Sequence, residues 1–250
     1  MLELNKIYLG DCLQVMKDIA DKSIDAIITD PPYGTTACKW DSVIPFEPMW
    51  AQLKRIIKPN GAIVLFGSEP FSSALRMSNI KNYKYDWKWD KVVSSNQLLC
   101  KKQPLRVYED IVVFYKKQCL YNPQMELRGI SKERPNAKET INPITGHTYA
   151  GKSTKDKLKY PSNKILVNKM SKELNSSKPS FHPTQKPVAL MEYLIKTYTN
   201  ENETVLDFTI GSGTTAIACI NTNRNFIGIE KEEKYCEIAR ERIKQAKKEE

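Results

Sequence analysis

Two clusters in this 250-residue chain carry residue types able to do chemistry. The first is Asp30-Pro31-Pro32-Tyr33, set directly behind the apolar run Ile24 to Thr29. Two successive prolines stiffen a turn and remove two backbone donors, which leaves the neighbouring carbonyls as acceptors. The turn then presents a carboxylate at Asp30, a fixed carbonyl at Pro31 and an aromatic face at Tyr33. That set suits a planar group bearing an exocyclic NH₂, with one N–H for each acceptor and the ring stacked on Tyr33. The competing reading is a strand end with a capping Asp, so the tetrad needs a second signal.

That signal is Val205-Leu206-Asp207-Phe208-Thr209-Ile210-Gly211-Ser212-Gly213-Thr214-Thr215-Ala216, read as a strand, a glycine turn and a helix start. Gly211 and Gly213 let the backbone approach a ligand, and Thr214 or Thr215 suits the helix cap. The next apolar run, Asn225 to Glu230, ends in a carboxylate, and an acid at that place commonly takes the two hydroxyls of a ribose. A nucleoside-containing cofactor is the natural ligand. A dinucleotide stays open here, because Gly211-x-Gly213-x-x-Ala216 also satisfies the loose dinucleotide fingerprint. Only twenty residues come after Glu230, so strands from the N-terminal part must complete this sheet, and the order is catalytic half first and cofactor half last.

Four continuous apolar runs, 24–30, 62–67, 204–208 and 225–230, read as strands buried on both faces. Leu13, Met16 and Ile19 share one helical face. Met49, Leu53, Ile56 and Ile57 share another, which the Lys58-Pro59-Asn60-Gly61 turn should stop. Leu190, Met191, Leu194, Ile195 and Tyr198 repeat the spacing, as do Tyr235, Ile238, Ala239, Ile243 and Ala246. Alternating strand and helix predict an α/β domain with a mostly parallel sheet. Segments 83–93 and 107–117 read as half-exposed strands at its far side. Trp40, Trp50, Trp87 and Trp89 read as packing residues.

The chain has 39 Lys plus Arg against 29 Asp plus Glu, a net charge of +10. A basic balance favours a polyanionic partner, nucleic acid before membrane. Residues 118–181 lose core periodicity and hold twelve basic and five acidic side chains, +7 of the total. No stretch is long and apolar enough for a membrane span, and the N-terminus lacks an export pattern, so a soluble cytoplasmic protein is expected. Six cysteines without a CxxC pair, and only His147 and His182, predict neither a metal site nor a disulfide framework. Cys12, Cys219 and Cys236 fall at core positions.

Taken in order, these motifs resemble the beta group of S-adenosylmethionine-dependent DNA amino-methyltransferases, over nearly the whole chain. Gly10-Asp11 is similar to the family's short acidic motif, Asp30-Pro31-Pro32-Tyr33 to its catalytic tetrad, and Trp89-Asp90-Lys91 with Tyr108-Glu109-Asp110 to later strands. His182-Pro183-Thr184-Gln185-Lys186-Pro187 resembles the segment before a helix that helps enclose the methionine end of the cofactor. Gly211 to Thr215 resembles the glycine loop, and Phe226 to Glu230 the ribose-binding strand end. One departure is local: the commoner form has Pro then Phe after the Asp of the cofactor strand, and this chain has Phe208 then Thr209.

The resemblance implies a Rossmann-like, doubly wound sheet of the class I methyltransferase type, with a catalytic half at 1–117, an inserted target-recognition region at 118–181 and a cofactor half at 182–250. It implies methyl transfer to adenine N6 in double-stranded DNA with base flipping. Asp30, Pro31, Pro32 and Tyr33 are then catalytic. Asp11, His182, Thr184, Gln185, Lys186, Asp207, Phe208, Gly211, Ser212, Gly213, Thr214 and Glu230 are then cofactor-binding. Asp11 also suits a plain helix N-cap. Asp at the first tetrad position favours adenine in the family, with N4-cytosine methylation as the alternative. A homodimer and a restriction endonuclease partner are implied by analogy. Two other readings compete, a nicotinamide-dependent dehydrogenase resting on the glycine loop and Glu230 alone, and a non-catalytic DNA-binding protein on the same fold.

Overall fold

The computed structural model describes residues 2–36, 38, 41–127, 140–141, 148–149, 158–168 and 185–246. The chain divides into two compact units, Met1–Asn122 with Asn163–Glu250, and Pro123–Ser162. It opens with β1 (Lys6–Leu9), α1 (Cys12–Val15), β2 (Ile24–Thr29), α2 (Phe46–Ile56), β3 (Ile57–Gly67), α3 (Phe71–Ser78), β4 (Tyr83–Ser95) and β5 (Arg106–Phe114). The smaller unit holds β6 (Glu126–Leu127), β7 (Thr140–Ile141), β8 (Thr148–Tyr149) and β9 (Leu158–Lys159), which pair β6 with β9 and β7 with β8. The larger unit resumes with β10 (Lys164–Leu166), α4 (Val188–Tyr198), β11 (Thr204–Asp207), α5 (Thr214–Asn221), β12 (Asn225–Glu230) and α6 (Glu233–Ala246).

Eight strands make one sheet in the order β1-β12-β11-β2-β3-β5-β4-β10, and only β5 runs against its neighbours. This is the mostly parallel α/β architecture that the alternating apolar runs predict. Successive side chains of a strand point to opposite faces, and the two cores divide accordingly. Ala26, Ile28, Val64, Phe66, Ile111 and Val113 pack with α4, α5 and α6; Ile27, Ile63, Leu65, Val112 and Phe114 pack with α1, α2 and α3. Cys12, Cys119, Cys219 and Cys236 are buried thiols in these layers, and Trp50, Trp87 and Trp89 are buried packing residues. Trp40 lies outside the described residues.

The order of strands positions the site. From β2 the chain crosses through α2 to β3 on one side, and from β11 through α5 to β12 on the other. Neighbouring strands whose connections depart in opposite directions leave a crevice at their carboxyl ends, where α/β sheets bind ligands. Asp30 comes directly after β2 and Phe208 directly after β11, so both signals of the sequence open onto that crevice.

Three features differ from the sequence expectation. Lys58-Pro59-Asn60-Gly61 does not form a free turn: strand geometry begins at Ile57, and the ladder slips from Ile24↔Ile57 to Ala26↔Ala62. The extra residues are held by Lys58, whose Nζ lies 2.6 Å from Asp25 Oδ1. The helix α3 is only two turns long, too short for a periodic signal, although Phe71 and Leu75 are buried. Within the aperiodic segment, β10 joins the sheet edge beside β4 and buries Ile165.

Candidate active site

The end of β2 is tied to the end of β11 by two hydrogen bonds. Phe208 N–H donates to Thr29 Oγ1 at 3.2 Å, and Thr209 Oγ1 donates to the Asp30 carbonyl at 3.0 Å. Thr209, which departs from the commoner family residue, therefore acquires a role in fastening the tetrad. A second tie joins β1 to β12, where Gly10 N–H donates to the Glu230 carbonyl at 2.8 Å.

Both oxygens of the Asp30 carboxylate are engaged. Oδ1 accepts from Tyr33 Oη–H at 2.5 Å, and Oδ2 accepts from the Lys186 ammonium. Lys186 is 8% exposed and also faces Glu109 Oε2 at 3.7 Å, while Lys91 Nζ reaches Glu109 Oε1 at 3.2 Å. The result is a buried run of alternating charge, Asp30, Lys186, Glu109 and Lys91. Burial pushes the Asp30 carboxyl above its ordinary range, while the Lys186 charge pulls the other way. Burial works to lower the Lys186 pKa, but Asp30 and Glu109 together outweigh it and hold the ammonium above its usual value. The Tyr33 ring stacks on Phe71 at 5.0 Å, which fixes its plane.

On the other side of the crevice, Glu230 Oε2 accepts from Gly211 N–H and Oε1 from Glu232 N–H, both at 2.9 Å. The Lys231 backbone also bonds this carboxylate, whose four acceptor sites are not all taken by these three donors, so it can still accept from a hydroxyl. Burial raises the Glu230 pKa against these backbone bonds. Asp207 is deeper. It accepts from Thr215 Oγ1 at 2.5 Å and from Thr209 N–H at 3.2 Å, and burial pushes its carboxyl up to about 7. Asp207 thus braces the glycine loop against the first turn of α5. Gly213 is the N-cap of α5 at φ +84, and a Cβ there would lie 2.9 Å from Ala239 Cβ. Neither Thr214 nor Thr215 caps that helix through its side chain.

Asp11 is the N-cap of α1, accepting from Leu13 N–H at 2.9 Å and Gln14 N–H at 3.2 Å, and it also lines the crevice. The N-cap reading therefore holds, and the same side chain stands at the cavity where the cofactor role would place it. The cavity, of about 300 Å³, gathers Asp11, Asp30 to Tyr33, Gln185, Lys186, Asp207, Phe208, Gly211, Ser212, Thr214 and Glu230. His182 and Thr184 lie outside the described residues. Gly213 shapes the loop without lining the cavity. Asp41 belongs to no motif that the sequence reveals, yet it accepts from the N–H groups of Gly34, Thr35 and Thr36 at 2.9, 2.9 and 2.7 Å and so folds the loop behind the tetrad. Glu109 stands in a motif visible in the sequence, but its long-range partners are not visible there, and they are what give it a role.

The residues fit a nucleoside carrying an amino-acid tail. Phe208 and Ile210 form an apolar wall beside the acceptors of Glu230. Gln185 lines the same cavity, and its buried Oε1 has no hydrogen-bond partner among the described residues, an acceptor suited to an α-ammonium.

The sequence model of a DNA methylase family, covering N6 and N4 enzymes, matches residues 24–241. Among curated relatives, the Type II methyltransferase M.HpaI of Haemophilus parainfluenzae is 26% identical over 95% of this chain and 74% of its own length. M1.MboII of Moraxella bovis is 27% identical over 94% of this chain and 95% of its own. Among solved structures, the complex of M1.HpyAVI with SAM has a TM-score of 0.61 and 27% identity, covering 95% of this chain and 98% of that one. The cytosine-N4-specific PvuII DNA methyltransferase has a TM-score of 0.65 at 15% identity, covering 96% and 90%, a likeness of fold.

Proposed function

Because this chain belongs to the N6/N4 DNA methylase family, whose model spans most of it, we propose that it moves a methyl group from S-adenosylmethionine to the exocyclic N6 of adenine in duplex DNA. The observation that carries the proposal is the Asp30 carboxylate at the β2–β11 crevice, in one cavity with Glu230 and Gln185.

An aromatic amine is a poor nucleophile because its lone pair is delocalised into the ring. S-adenosylmethionine supplies a sulfonium methyl already activated for attack. Asp30 and the Pro31 carbonyl accept the two N–H bonds, which draws the nitrogen toward a tetrahedral shape and stabilises the charge that develops on it. As the carbon–nitrogen bond forms, the methyl carbon–sulfur bond would break with its electron pair going to sulfur, leaving S-adenosylhomocysteine; the nitrogen sheds one proton, and Asp30 is suited to accept it because burial keeps its carboxyl elevated. Glu230 holds the ribose hydroxyls, Gln185 takes the ammonium, and Phe208 with Ile210 covers the nucleoside. Holding donor and acceptor in line supplies much of the remaining rate. Tyr33 closes on the base, with its hydroxyl still orienting Asp30.

The basic segment 118–181 is the proposed target-recognition region, tracking phosphates with its lysines and reading base edges with Asn, Gln or Arg. We extend the reading to cytoplasmic action, a homodimer and a cognate restriction endonuclease; the Type II names of the relatives accord with the last of these. Among the described residues no helix is long and apolar enough to cross a membrane.

The test is incubation with labelled S-adenosylmethionine and unmethylated duplex DNA, followed by digestion to nucleosides and mass identification. N6-methyldeoxyadenosine is expected, N4-methyldeoxycytidine would move the chain to the cytosine branch, and no label in any DNA would refute both. Replacing Asp30 with Asn should lower kcat by roughly 10²–10³-fold, the cost of one lost transition-state hydrogen-bonding group, with S-adenosylmethionine affinity changed little. Retained turnover in that variant would remove Asp30 from the chemistry.

A further inference from the structure

The strands β4 and β5 run past the carboxyl end of β3. Gly67, the last residue of β3, stands opposite Asp110, and the β4–β5 ladder continues through Trp89↔Glu109 and Asp90↔Tyr108 to Ser95↔Arg106. Trp89 and Glu109 line the same cavity as Asp30, so the hairpin tip at 96–105 stands beyond one wall of the catalytic crevice. Three extra residues enter β4 between Asp90 and Ser95, where Val92 adopts φ +64. Such a bulge bends a ladder and re-aims the residues beyond it.

The tip presents an unusual surface for a turn. Leu98 is 99% exposed, at the centre of a one-turn 3₁₀ segment, with Leu99 beside it at 40%. The turn is built to hold that side chain out. Asn96 Oδ1 accepts from Arg106 N–H at 2.8 Å, Gln97 Nε2 donates to Ser94 Oγ at 2.8 Å, and the N–H groups of Lys102 and Gln103 both donate to the Leu99 carbonyl. Around the apolar point the charge has one sign. Lys101, Lys102 and Arg106 are exposed, and no acidic side chain occurs between Lys91 and Glu109.

An apolar point ringed by cations is poorly matched to an ordinary protein surface and well matched to a nucleic acid duplex, whose phosphates flank a stack of apolar base faces. We propose that the β4–β5 tip is a second duplex-DNA contact, in which Leu98 fills the stack position left by the flipped target base while Lys101, Lys102 and Arg106 hold the adjoining phosphates. The inference rests on the methyl-transfer reading above and adds to it the element that offsets the loss of stacking. Proteins that insert side chains between base steps use leucine for this purpose, because its bulk covers the exposed faces without hydrogen-bonding demands.

The test compares two probes that carry the methylated site, located by sequencing DNA after reaction with the full-length protein. One is an intact short duplex; the other has an abasic nucleotide opposite the target base, which lowers the work of extrusion. Leu98→Ser should reduce kcat/KM on the intact duplex by about 10- to 100-fold, the scale of one buried leucine side chain, and by about threefold or less on the abasic-opposed duplex. Leu98→Met, which keeps the bulk, should stay near wild type on both. With 2-aminopurine at the target position, fluorescence on binding should rise for the wild-type chain and fall short of that rise for Leu98→Ser.

An equal loss on both probes, or no loss on either, would overturn the wedge. So would conversion of a dimer to a monomer by Leu98→Ser in sedimentation, which would make the tip a subunit contact. A wild-type chain that labels neither probe nor any other duplex overturns the parent reading, and the wedge with it.

Discussion

At the scale of single residues, the buried charges around Asp30 decide when the site can work. Lys186 touches Asp30 and Glu109, and Tyr33 donates to Asp30 from the opposite side. Replacing Lys186 with Met removes the cation that, among the described residues, touches Asp30 and lowers its pKa, so the carboxyl should titrate at still higher pH. The acid limb of the kcat/KM profile should then move upward, with activity at pH 6 falling more than activity at pH 8.5 and S-adenosylmethionine affinity unchanged. A weaker cofactor affinity with an unmoved profile would return Lys186 to the cofactor-binding set. Asp207 makes a separate prediction about stability. Its folded pKa of about 7 lies above the ordinary carboxyl value of 3.8, so between those limits the folded chain keeps a proton that the unfolded chain has lost. Its favourable contribution is therefore full below pH 4 and declines as pH rises toward 7, by up to about 4 kcal/mol. Asp207→Asn, which does not titrate, should gain in melting temperature relative to wild type as pH goes from 5 to 8, and a flat difference would contradict the burial argument. Residue types here were legible wherever the chemistry is local, as at Asp30 to Tyr33 and at Gly211 to Glu230. Partners were not. No sequence rule joins Lys186 to Asp30 across 156 positions, and the Tyr33 hydroxyl bond to Asp30 cannot be read from a ring that looks suited only to stacking.

Elements, taken as units, were legible in proportion to their length and burial. The strands β2, β11 and β12 are buried almost throughout, and continuous apolar runs mark such strands directly. The three-residue β10 and the two-turn α3 fall below any periodic window, and the Lys58-Gly61 insertion reads as a turn because its pairing with Asp25 is a tertiary fact. The elements also leave the glycine loop little room for change. Gly213 sits where β11 hands over to α5, and α6 packs its Ala239 against the position a Cβ would take. Gly213→Ala combines a left-handed backbone, costing about 1–2 kcal/mol, with a contact that pushes α6 away from α5. Urea denaturation should show a loss of at least that size, and S-adenosylmethionine affinity should fall with it because Ser212 is held by Arg242 from α6 at 2.6 Å. Full stability in this variant would mean that the loop relaxes without moving α6.

At the scale of the whole molecule, charge is the property that the fold does not explain. Subtracting the +7 of residues 118–181 from the total of +10 leaves +3 for everything else, so the sheet and its helices are nearly balanced and the excess belongs to one segment. A catalytic crevice needs no such surplus, because Asp30 and Glu109 are already matched by Lys186 and Lys91 and the Glu230 carboxylate by backbone donors. A polyanion held outside the crevice does, since each phosphate neutralised releases counterions and steepens the dependence of affinity on salt. Not every lysine in the segment is free to contribute. Lys159 Nζ lies 3.0 Å from Glu126 Oε2 across the β6–β9 pair, so its charge is partly answered within the unit. The informative substitution therefore spares Lys159 and replaces Lys152, Lys155 and Lys157 with Gln. If these three meet phosphates, the slope of log Kd for duplex DNA against log salt should shrink by roughly 2–3, while S-adenosylmethionine affinity and the melting temperature hold. Replacing Lys101 and Lys102 instead should shrink the slope by a further, separable amount of roughly 1–2, because those charges stand on β4–β5 in the other unit. An unchanged slope in the first variant alongside a reduced one in the second would shift duplex binding from the basic segment to the hairpin tip.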